Sequence, residues 1–414
     1  MCTLFNFTSN RKIILSINQN NTWTSKFLSC RSLIIIGFIV LFAFISFALL
    51  KIDLAQNPWI LGDWLINFQD GGFKRRGLSG SFFFMLQDFT GISLIYLVYT
   101  TQIFLYALFF ISFYKLLSKK HISFEYFVLV FSPVTLLFFF NDIASIGRKE
   151  IIIIALFSVN ALWHTQKNYT NIKLILISLL LFFFTFWHEF IFFFVPYFII
   201  LHLLHLKSEV NHLKYKINLF LIYFIPVFVS IILMYYFGSE INNGNSIEIL
   251  HQRGLTINGG IFTWDMDSIE FIKNHMKSYV LYSIPVIYGA VPFIWHIYKH
   301  YRFKVLFLLI PAIAFSIPLF ILSIDWGRWI AIHFILILIL FGSKLKSENE
   351  NLENIKNDSL SMQLFPNVIY ISFFVLNLSF AMPHCIYGIT YSRSYKIVKN
   401  VIINIYEILP NTRL

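Results

Sequence analysis

The sequence predicts an all-α, polytopic membrane protein, and two observations carry this prediction. Apolar residues make up 58% of the 414 residues and charged residues only 13%, and the apolar residues occur in runs long enough to cross a bilayer. The polar stretches between these runs are no longer than about 40 residues, which is too short for an ordinary soluble domain. We therefore expect residues 1–414 to form a single integral membrane domain with about 11 transmembrane spans and a cytoplasmic N-terminus.

The N-terminal half predicts a basic cytoplasmic arm followed by four spans. The arm comprises residues 1–32, and since the apolar run after it is long enough to cross, we expect an anchor that is retained. An outer loop, 51–79, precedes residues 81–90, which are too short to cross and are expected at the membrane interface. The first four spans are predicted at 33–50, 92–114, 126–140 and 151–164.

One apolar run, residues 174–206, is too long for a single span. As one helix it would measure about 50 Å, whereas the hydrocarbon core is about 30 Å thick. His188 and Glu189 lie near its middle and interrupt the apolar sequence. We therefore predict two short spans that turn at these two residues on the outer side of the membrane.

The C-terminal half predicts the remaining spans, two of which flank residues 325–329. The others are expected at 217–237, 279–298 and 368–382. The connecting segments are a long outer loop at 238–277, a cytoplasmic loop at 343–366 and an outer tail at 383–414. In this topology Lys and Arg outnumber Asp and Glu in the inner segments and balance them in the outer ones, as the positive-inside rule requires.

The stretch 62–80 concentrates charge within the first outer loop. Gly71, Gly72, Gly77 and Gly80 interrupt any regular helix and allow the backbone to approach a ligand closely. Adjacent arginines with forked donors are suited to bind phosphate or pyrophosphate. The alternative is a solvated basic loop in contact with lipid head groups. The charged residues of this stretch are Asp63, Asp70, Lys74, Arg75 and Arg76.

Further polar clusters in apolar sequence open to the same outer face in this topology. The short spans beside several of them would let their tips sink into a crater within the bundle. For each cluster alone, structural ion pairs between helix ends are the alternative interpretation. The candidate catalytic residues are Asp63, Asp70, His188 and Glu189. The candidate substrate-binding residues are Lys74, Arg75, Arg76, Arg148, Arg253, Asp325 and Arg328.

Several chemistries lack a supporting pattern. The three cysteines are too few and too scattered for a disulfide framework. The pairs His202/His205 and His296/His300 have helical ligand spacing, but neither encloses the glutamate of H-E-x-x-H, so we predict no metal site. No Walker A motif or dinucleotide fingerprint occurs, and we expect no cofactor. The net charge of +12 reports orientation in a membrane rather than binding to nucleic acid.

The architecture and the outer arginines resemble the bacterial O-antigen and capsule repeat-unit polymerases of the Wzy type. Those proteins have about a dozen spans and no soluble domain. Arg75, Arg76, Arg253 and Arg328 are residues of the kind on which they depend in outer loops. The resemblance implies a glycosyltransferase-type enzyme that joins undecaprenyl-pyrophosphate-linked glycans into lipopolysaccharide or capsule at the bacterial inner membrane. It also implies membrane lipid and a chain-length-regulator membrane protein as partners, and no nucleic acid.

Two other classes stay open on the sequence alone. Glycosyltransferases of the GT-C type use polyprenyl-phosphate sugars and carry acidic residues in the first outer loop, where Asp53, Asp63 and Asp70 lie. Many of them carry a soluble domain, which this sequence does not show. A flippase for lipid-linked sugars would use the same basic cluster, but no internal repeat is visible.

The expected mechanism is glycan transfer within the outer crater. Arg75, Arg76 and Arg148 would hold the donor's pyrophosphate and stabilise the charge that grows on it as it departs. One of the four catalytic candidates would take the proton of the acceptor hydroxyl. The scheme requires neither a metal ion nor a nucleotide sugar.

Overall fold

The computed structural model describes residues 30–69, 72–166, 169–205, 213–241, 245–301, 303–345, 370–385, 390–393, 395–397 and 399–400. Within these ranges the chain is mainly helical, and its two strands form one antiparallel ribbon. The ribbon pairs β1 (Phe380–Ala381) with β2 (Thr390–Tyr391).

The helices are short and numerous because polar residues, prolines and glycines interrupt the apolar sequence. The first are α1 (Cys30–Leu54), α2 (Leu61–Trp64), α3 (Gly77–Thr90), α4 (Leu94–Leu117), α5 (Phe124–Val130), α6 (Leu136–Asn141), α7 (Ile143–Ile146), α8 (Glu150–Thr165), α9 (Asn171–Thr185) and α10 (Ile191–His205). They continue with α11 (Leu213–Phe237), α12 (Ser246–Gln252), α13 (Ser268–Asn274), α14 (Met276–Val280), α15 (Ser283–Tyr301), α16 (Phe303–Phe315), α17 (Ile317–Leu322) and α18 (Trp326–Lys344). Residues 370–377 are also helical.

Six helical segments among the described residues are long and apolar enough to cross a membrane. The chain is therefore a helical membrane protein, as the sequence predicts. Three further apolar helices, α8, α9 and α10, are shorter. The six long segments are Cys30–Leu54, Leu94–Leu117, Leu213–Phe237, Met276–His300, Val305–Leu322 and Trp326–Lys344.

The predicted break in the long apolar run 174–206 is confirmed. Helix α9 ends at Thr185 and α10 begins at Ile191, so His188 and Glu189 lie in the turn between them. The two helices pack against each other and against α11. A single helix would have buried both ionisable side chains in the middle of an apolar cylinder, whereas the turn brings them to the charged residues of other segments.

The predicted span at 126–140 is not one continuous helix, and whether this segment crosses the membrane stays a prediction. Helix α5 ends at Val130, and a non-helical segment containing Pro133 separates it from α6. Pro133 has no N–H to donate to a continued helix. The Thr135 hydroxyl partly compensates, because it lies 2.7 Å from the Leu129 carbonyl and 2.9 Å from the Val130 carbonyl.

Two predicted non-spanning segments contain regular structure. Residues 81–90 belong to the 14-residue helix α3, which buries Phe83 and Phe84 and exposes Phe89. Its position relative to the membrane stays a prediction. The predicted outer loop 238–277 contains α12, α13 and a 3-10 turn at Gly260–Thr263, because short helix-forming runs lie between its glycines.

The core is built around α8, which packs against α4, α10 and α18. Helix α18 is almost wholly buried, with 94% of an 18-residue apolar stretch inside the protein. The end of α7, four residues before α8, lies beside the middle of α4, where Tyr106 donates a hydrogen bond to the Ile146 carbonyl at 2.7 Å. Tyr106 follows Leu94 by 12 residues, about 18 Å along the helix. The chain therefore enters α8 from a point beside the middle of α4, and not from beside its end.

Candidate functional site

The loop between α2 and α3 is folded tightly enough to place its charges inside the protein. Residues 60–67 are all buried. The Gly80 N–H donates to the Ile66 carbonyl at 2.9 Å, and a Cβ at Gly80 would lie only 2.3 Å from that oxygen. Glycine is therefore required for α3 to pack against this loop. Arg76, immediately before α3, has a φ of 66°, a left-handed conformation that is strained for a non-glycine residue.

Arg76 joins the loop between α2 and α3 to the turn between α9 and α10. Its Nε donates to Glu189 Oε2 at 2.8 Å and its Nη2 to Glu189 Oε1 at 2.6 Å. The third nitrogen, Nη1, lies 3.3 Å from Asp63 Oδ1. Forked donation of this kind fixes both position and orientation of the guanidinium.

Lys149 brings α8 into the same cluster. Its side chain is fully buried, with Nζ 3.8 Å from Asp63 Oδ1. The ammonium donates to Ser79 Oγ at 3.0 Å and to the Trp187 carbonyl at 2.9 Å. Asp63 thus lies between Arg76 of the following loop and Lys149 before α8, and these two cations explain how a buried carboxylate is tolerated.

Arg75 extends the cluster toward solvent. Its Nε lies 3.8 Å from Glu189 Oε1, and its side chain is 45% exposed. Arg75 therefore offers donors that the protein does not bury, next to a carboxylate that Arg76 already binds. We name these residues the arginine–glutamate cluster: Asp63, Arg75, Arg76, Lys149, His188 and Glu189.

A second group of charges adjoins this cluster and connects α8 to α18. It consists of Glu150, Asp325 and Arg328. Arg328 Nη1 donates to Glu150 Oε1 at 2.6 Å, and Arg328 Nη2 binds Asp325 Oδ2. Arg148, two residues before Glu150, interacts electrostatically with Arg328, Asp325 and Asp63. The two groups are therefore joined through the consecutive residues Arg148, Lys149 and Glu150. Together they form what we call the network.

The arginine–glutamate cluster is charged at neutral pH. Burial would raise the pKa of Asp63, but Lys149 and Arg76 outweigh it and lower the pKa below its ordinary value. For Glu189, burial is likewise outweighed, mainly by Arg76, and the pKa lies well below normal. Burial lowers the pKa of Lys149 to about 8 although Asp63 opposes the shift. Both carboxylates are thus ionised, and Lys149 is the cation that loses its proton most easily.

His188 is held neutral and in one tautomer. Burial, followed by the charge of Arg76, lowers its pKa well below the ordinary value. The Phe190 N–H donates to His188 Nδ1 at 3.3 Å, which places the ring proton on Nε2. His188 can therefore donate a hydrogen bond through Nε2 but is poorly placed to act as a base.

Several buried polar atoms of the network have no hydrogen-bond partner among the described residues. Buried polar atoms normally have a hydrogen-bond partner, so these atoms have unused capacity to bind a ligand. A bound anion would satisfy the two guanidinium nitrogens, and a hydroxyl would satisfy the carboxylate oxygen. These atoms are Arg148 Nε, Arg328 Nε and Glu150 Oε2.

Most of the predicted site residues are brought together, but Lys74 and Arg253 have other contacts. The Lys74 side chain is buried, with Nζ 3.4 Å from Ser246 Oγ in α12. Arg253 binds Asp88 at 2.8 Å and Gln87 at 3.0 Å beside a surface cleft of about 590 Å³. A role for either residue in substrate binding stays a prediction, and Asp70 lies outside the described residues.

Sequence reasoning assigned no role to Lys149, Glu150 or the pair of Asp142 with His384. His384 Nδ1 lies 2.7 Å from Asp142 Oδ2, and the His384 carbonyl accepts from the Gly327 N–H at 3.0 Å. The triplet 148–150 in apolar sequence was a usable signal for the first two. No local signal marks His384, whose partner is 242 residues away.

In the part of the chain that the structure describes, two sets of side chains place possible metal ligands within 4.8 Å of one another. One consists of Asp325, His384 and Cys385, beside the network. The other consists of Glu125, His296 and His300 in α5 and α15. The prediction of no metal site considered histidine pairs along the sequence and could not see the carboxylates that the fold adds.

Comparison of the chain with protein-family models, with curated proteins and with solved structures found no match. The fold and the network define a class only, a helical membrane protein with a buried site of paired cations and carboxylates.

Proposed function

We propose that this chain polymerises undecaprenyl-pyrophosphate-linked oligosaccharide repeat units on the outer face of the bacterial inner membrane. The observation that carries the proposal is the forked contact of Arg76 with Glu189 beside Asp63 and Lys149. It combines donors for an anion with carboxylates for a hydroxyl in one buried cluster. A substrate that contains both a pyrophosphate and a sugar needs that combination.

The pyrophosphate of the donor would bind to Arg75 and draw Arg76 from its carboxylate partners. Arg75 is the exposed cation of the cluster, whereas the Arg76 side chain is only 17% exposed. Further donors are available from Arg148 Nε and Arg328 Nε. These cations also stabilise the negative charge that develops on the departing pyrophosphate.

Glu189 is the base in this proposal. Its side chain is 22% exposed, against 4% for Asp63, so it is the more accessible carboxylate. When the pyrophosphate draws Arg76 away, the pKa of Glu189 rises toward its ordinary value and the carboxylate becomes a better base. Asp63 positions Arg76 and Lys149, and His188 donates through Nε2.

The chemical step joins an acceptor hydroxyl to the anomeric carbon of the donor glycan. The new glycosidic C–O bond forms as the bond from the anomeric carbon to the pyrophosphate oxygen breaks, and that electron pair leaves with the pyrophosphate. The proton of the hydroxyl passes to Glu189. The products are a longer lipid-linked glycan and free undecaprenyl pyrophosphate. In this proposal a chain-length-regulator membrane protein is the partner of the enzyme.

The proposal requires the network to face outward in an eleven-span topology with a cytoplasmic N-terminus. Cysteines placed singly at the exposed Ser93 and Thr263 of a cysteine-free chain should react with an impermeant thiol reagent from outside. Lys119→Cys, exposed at the other end of α4, should react only after permeabilisation. Labelling of Thr263→Cys only after permeabilisation contradicts this topology.

Deletion of the gene, followed by separation of the surface glycan by length, tests the proposal. Loss of a polymerase leaves lipid that carries one repeat unit and removes the ladder of longer chains. A normal ladder in the deletion strain would refute the proposal. A flippase defect instead leaves the surface bare and strands complete units inside.

The second candidate is a GT-C-type glycosyltransferase that uses a polyprenyl-phosphate sugar. One observation favours it: Asp63, an acidic residue of the first outer loop, is buried at the centre of the network between Arg76 and Lys149. Deletion of such an enzyme would change the sugar composition of the unit, or remove the unit and its ladder together.

A further inference from the structure

A second polar cluster lies away from the proposed site, where α5 packs against α15. Its centre is Glu125, a buried carboxylate in the first turn of α5. Glu125 Oε1 lies 3.0 Å from His296 Nδ1, and Oε2 lies 3.7 Å from His300 Nε2. All three ligand atoms lie within 4.8 Å of one another.

Local sequence explains how these side chains converge. His296 and His300 are four residues apart in α15, so they lie on one face of the helix. Ser123 caps α5 by accepting a hydrogen bond from the Tyr126 N–H, which fixes the first turn where Glu125 lies. A helical pair of histidines is thereby supplied with a carboxylate that is 171 residues from His296.

We propose that Glu125, His296 and His300 bind a divalent first-row transition-metal ion such as Zn²⁺. Two imidazoles and one carboxylate are a ligand set that zinc takes in proteins, and it leaves a fourth position for water or a further ligand. The rings of Tyr126 and Phe341 lie 6.0 Å from the His296 ring and form an apolar wall around the site. Such a wall excludes water and strengthens the attraction between a cation and Glu125.

Lys299 competes with the metal for the carboxylate. Its Nζ lies 3.1 Å from Glu125 Oε2, but its side chain is 47% exposed and can turn into solvent. Glu125 and His296 are only 4% and 1% exposed and cannot leave the site in this way. Removal of the lysine charge should therefore strengthen metal binding, which would not be expected if the cluster were only a set of ion pairs.

The test uses the purified full-length chain, stripped with a chelator and titrated with Co²⁺ followed by visible absorption, and with Zn²⁺ followed by calorimetry. The wild type should bind both ions. Glu125→Gln and His300→Ala should weaken binding by more than the loss of about 10- to 100-fold that an outer-sphere substitution causes. Lys299→Met should tighten it.

Two controls make the result specific. His275→Ala removes a histidine from another part of the chain, where Nδ1 contacts the Phe271 carbonyl at 2.9 Å, and should leave the affinity unchanged. If Asp325, His384 and Cys385 also bind the ion, the wild type shows a second binding site, and His384→Gln removes that site alone. Because His300 is exposed, His300→Ala should fold normally, and circular dichroism checks this. A wild type that binds neither ion, or a His300→Ala protein with wild-type affinity, overturns the proposal.

Discussion

Arg76 and Glu189 are 113 residues apart in the sequence and are joined by two short hydrogen bonds, of 2.8 and 2.6 Å. The pair fastens the loop before α3 to the turn between α9 and α10. Glu189 interrupts an apolar run and Arg76 ends a basic triplet, and each supplies the charge that the other needs in order to be buried. This contact makes one site of two segments that look unrelated in the sequence.

The arginine fork should matter more than its charge. Arg76→Lys keeps the charge but cannot donate in parallel to two oxygens, either those of Glu189 at rest or those of the pyrophosphate in the proposed mechanism. Since a hydrogen bond to a charged group contributes about 1.5–3 kcal/mol, we expect glycan-polymerising activity to fall about 10- to 100-fold. The measurement is ladder length in a complemented deletion strain. Arg31→Lys, where the arginine contacts the Lys120 carbonyl, is the matched control, and equal loss in both variants would contradict the assignment.

Neutralising Asp63 should disrupt the cluster and not only remove a charge. Asp63→Asn leaves Arg76 and Lys149 without their shared carboxylate, so we expect both a lower unfolding temperature and loss of activity. Asp267→Asn, in the outer loop, keeps a side-chain oxygen that caps α13 and should change neither. Thermal unfolding in detergent and the glycan ladder provide the two readouts. Wild-type behaviour of Asp63→Asn would show that the carboxylate is dispensable.

The Glu150–Arg328 pair should show strong coupling between α8 and α18. Arg328→Met leaves a buried carboxylate unpaired and should destabilise the protein by about 3–5 kcal/mol. Adding Glu150→Gln removes the unpaired charge and should recover part of that loss. A double-mutant cycle on unfolding free energies should therefore give a coupling energy above about 1 kcal/mol, and simple additivity would contradict the pairing.

The Asp142–His384 pair predicts loss of stability at alkaline pH. Burial lowers the pKa of His384, but its contacts with Asp142 and Cys385 outweigh burial and raise the pKa from 6.5 to about 9. The protonated imidazole thus contributes about 3 kcal/mol below pH 6.5, which is lost as the pH rises through about 9. His384→Gln should remove this loss from the profile of unfolding temperature against pH. Lys149 titrates in the same range, so the difference between the two proteins is the quantity to compare; identical profiles would contradict the prediction.

The sequence predicted features that a local pattern marks. The turn at His188–Glu189 was predictable because two ionisable residues interrupt a run longer than a bilayer. Ionisable residues in apolar surroundings require partners, so the convergence of Asp63, Arg76 and Arg328 on one network also followed.

Features that depend on distant contacts were not predictable. Pro133 gave a local signal for the break after α5, but the apolar sequence on both sides favoured one span. The partners of Asp142 and Glu125 lie 242 and 171 residues away, and no periodicity connects them. Which cation pairs with which carboxylate is decided by the packing of α8 against its neighbours, and hydropathy does not encode this.

Chain extension in reconstituted vesicles tests the central claim most directly. The purified protein is inserted into lipid vesicles with a radiolabelled, undecaprenyl-pyrophosphate-linked repeat unit, and the products are separated by length. The account predicts products of two or more repeat units with release of undecaprenyl pyrophosphate, and loss of both in the Glu189→Gln protein. Products that remain one repeat unit long, or transfer of single sugars from a polyprenyl phosphate instead, would contradict it.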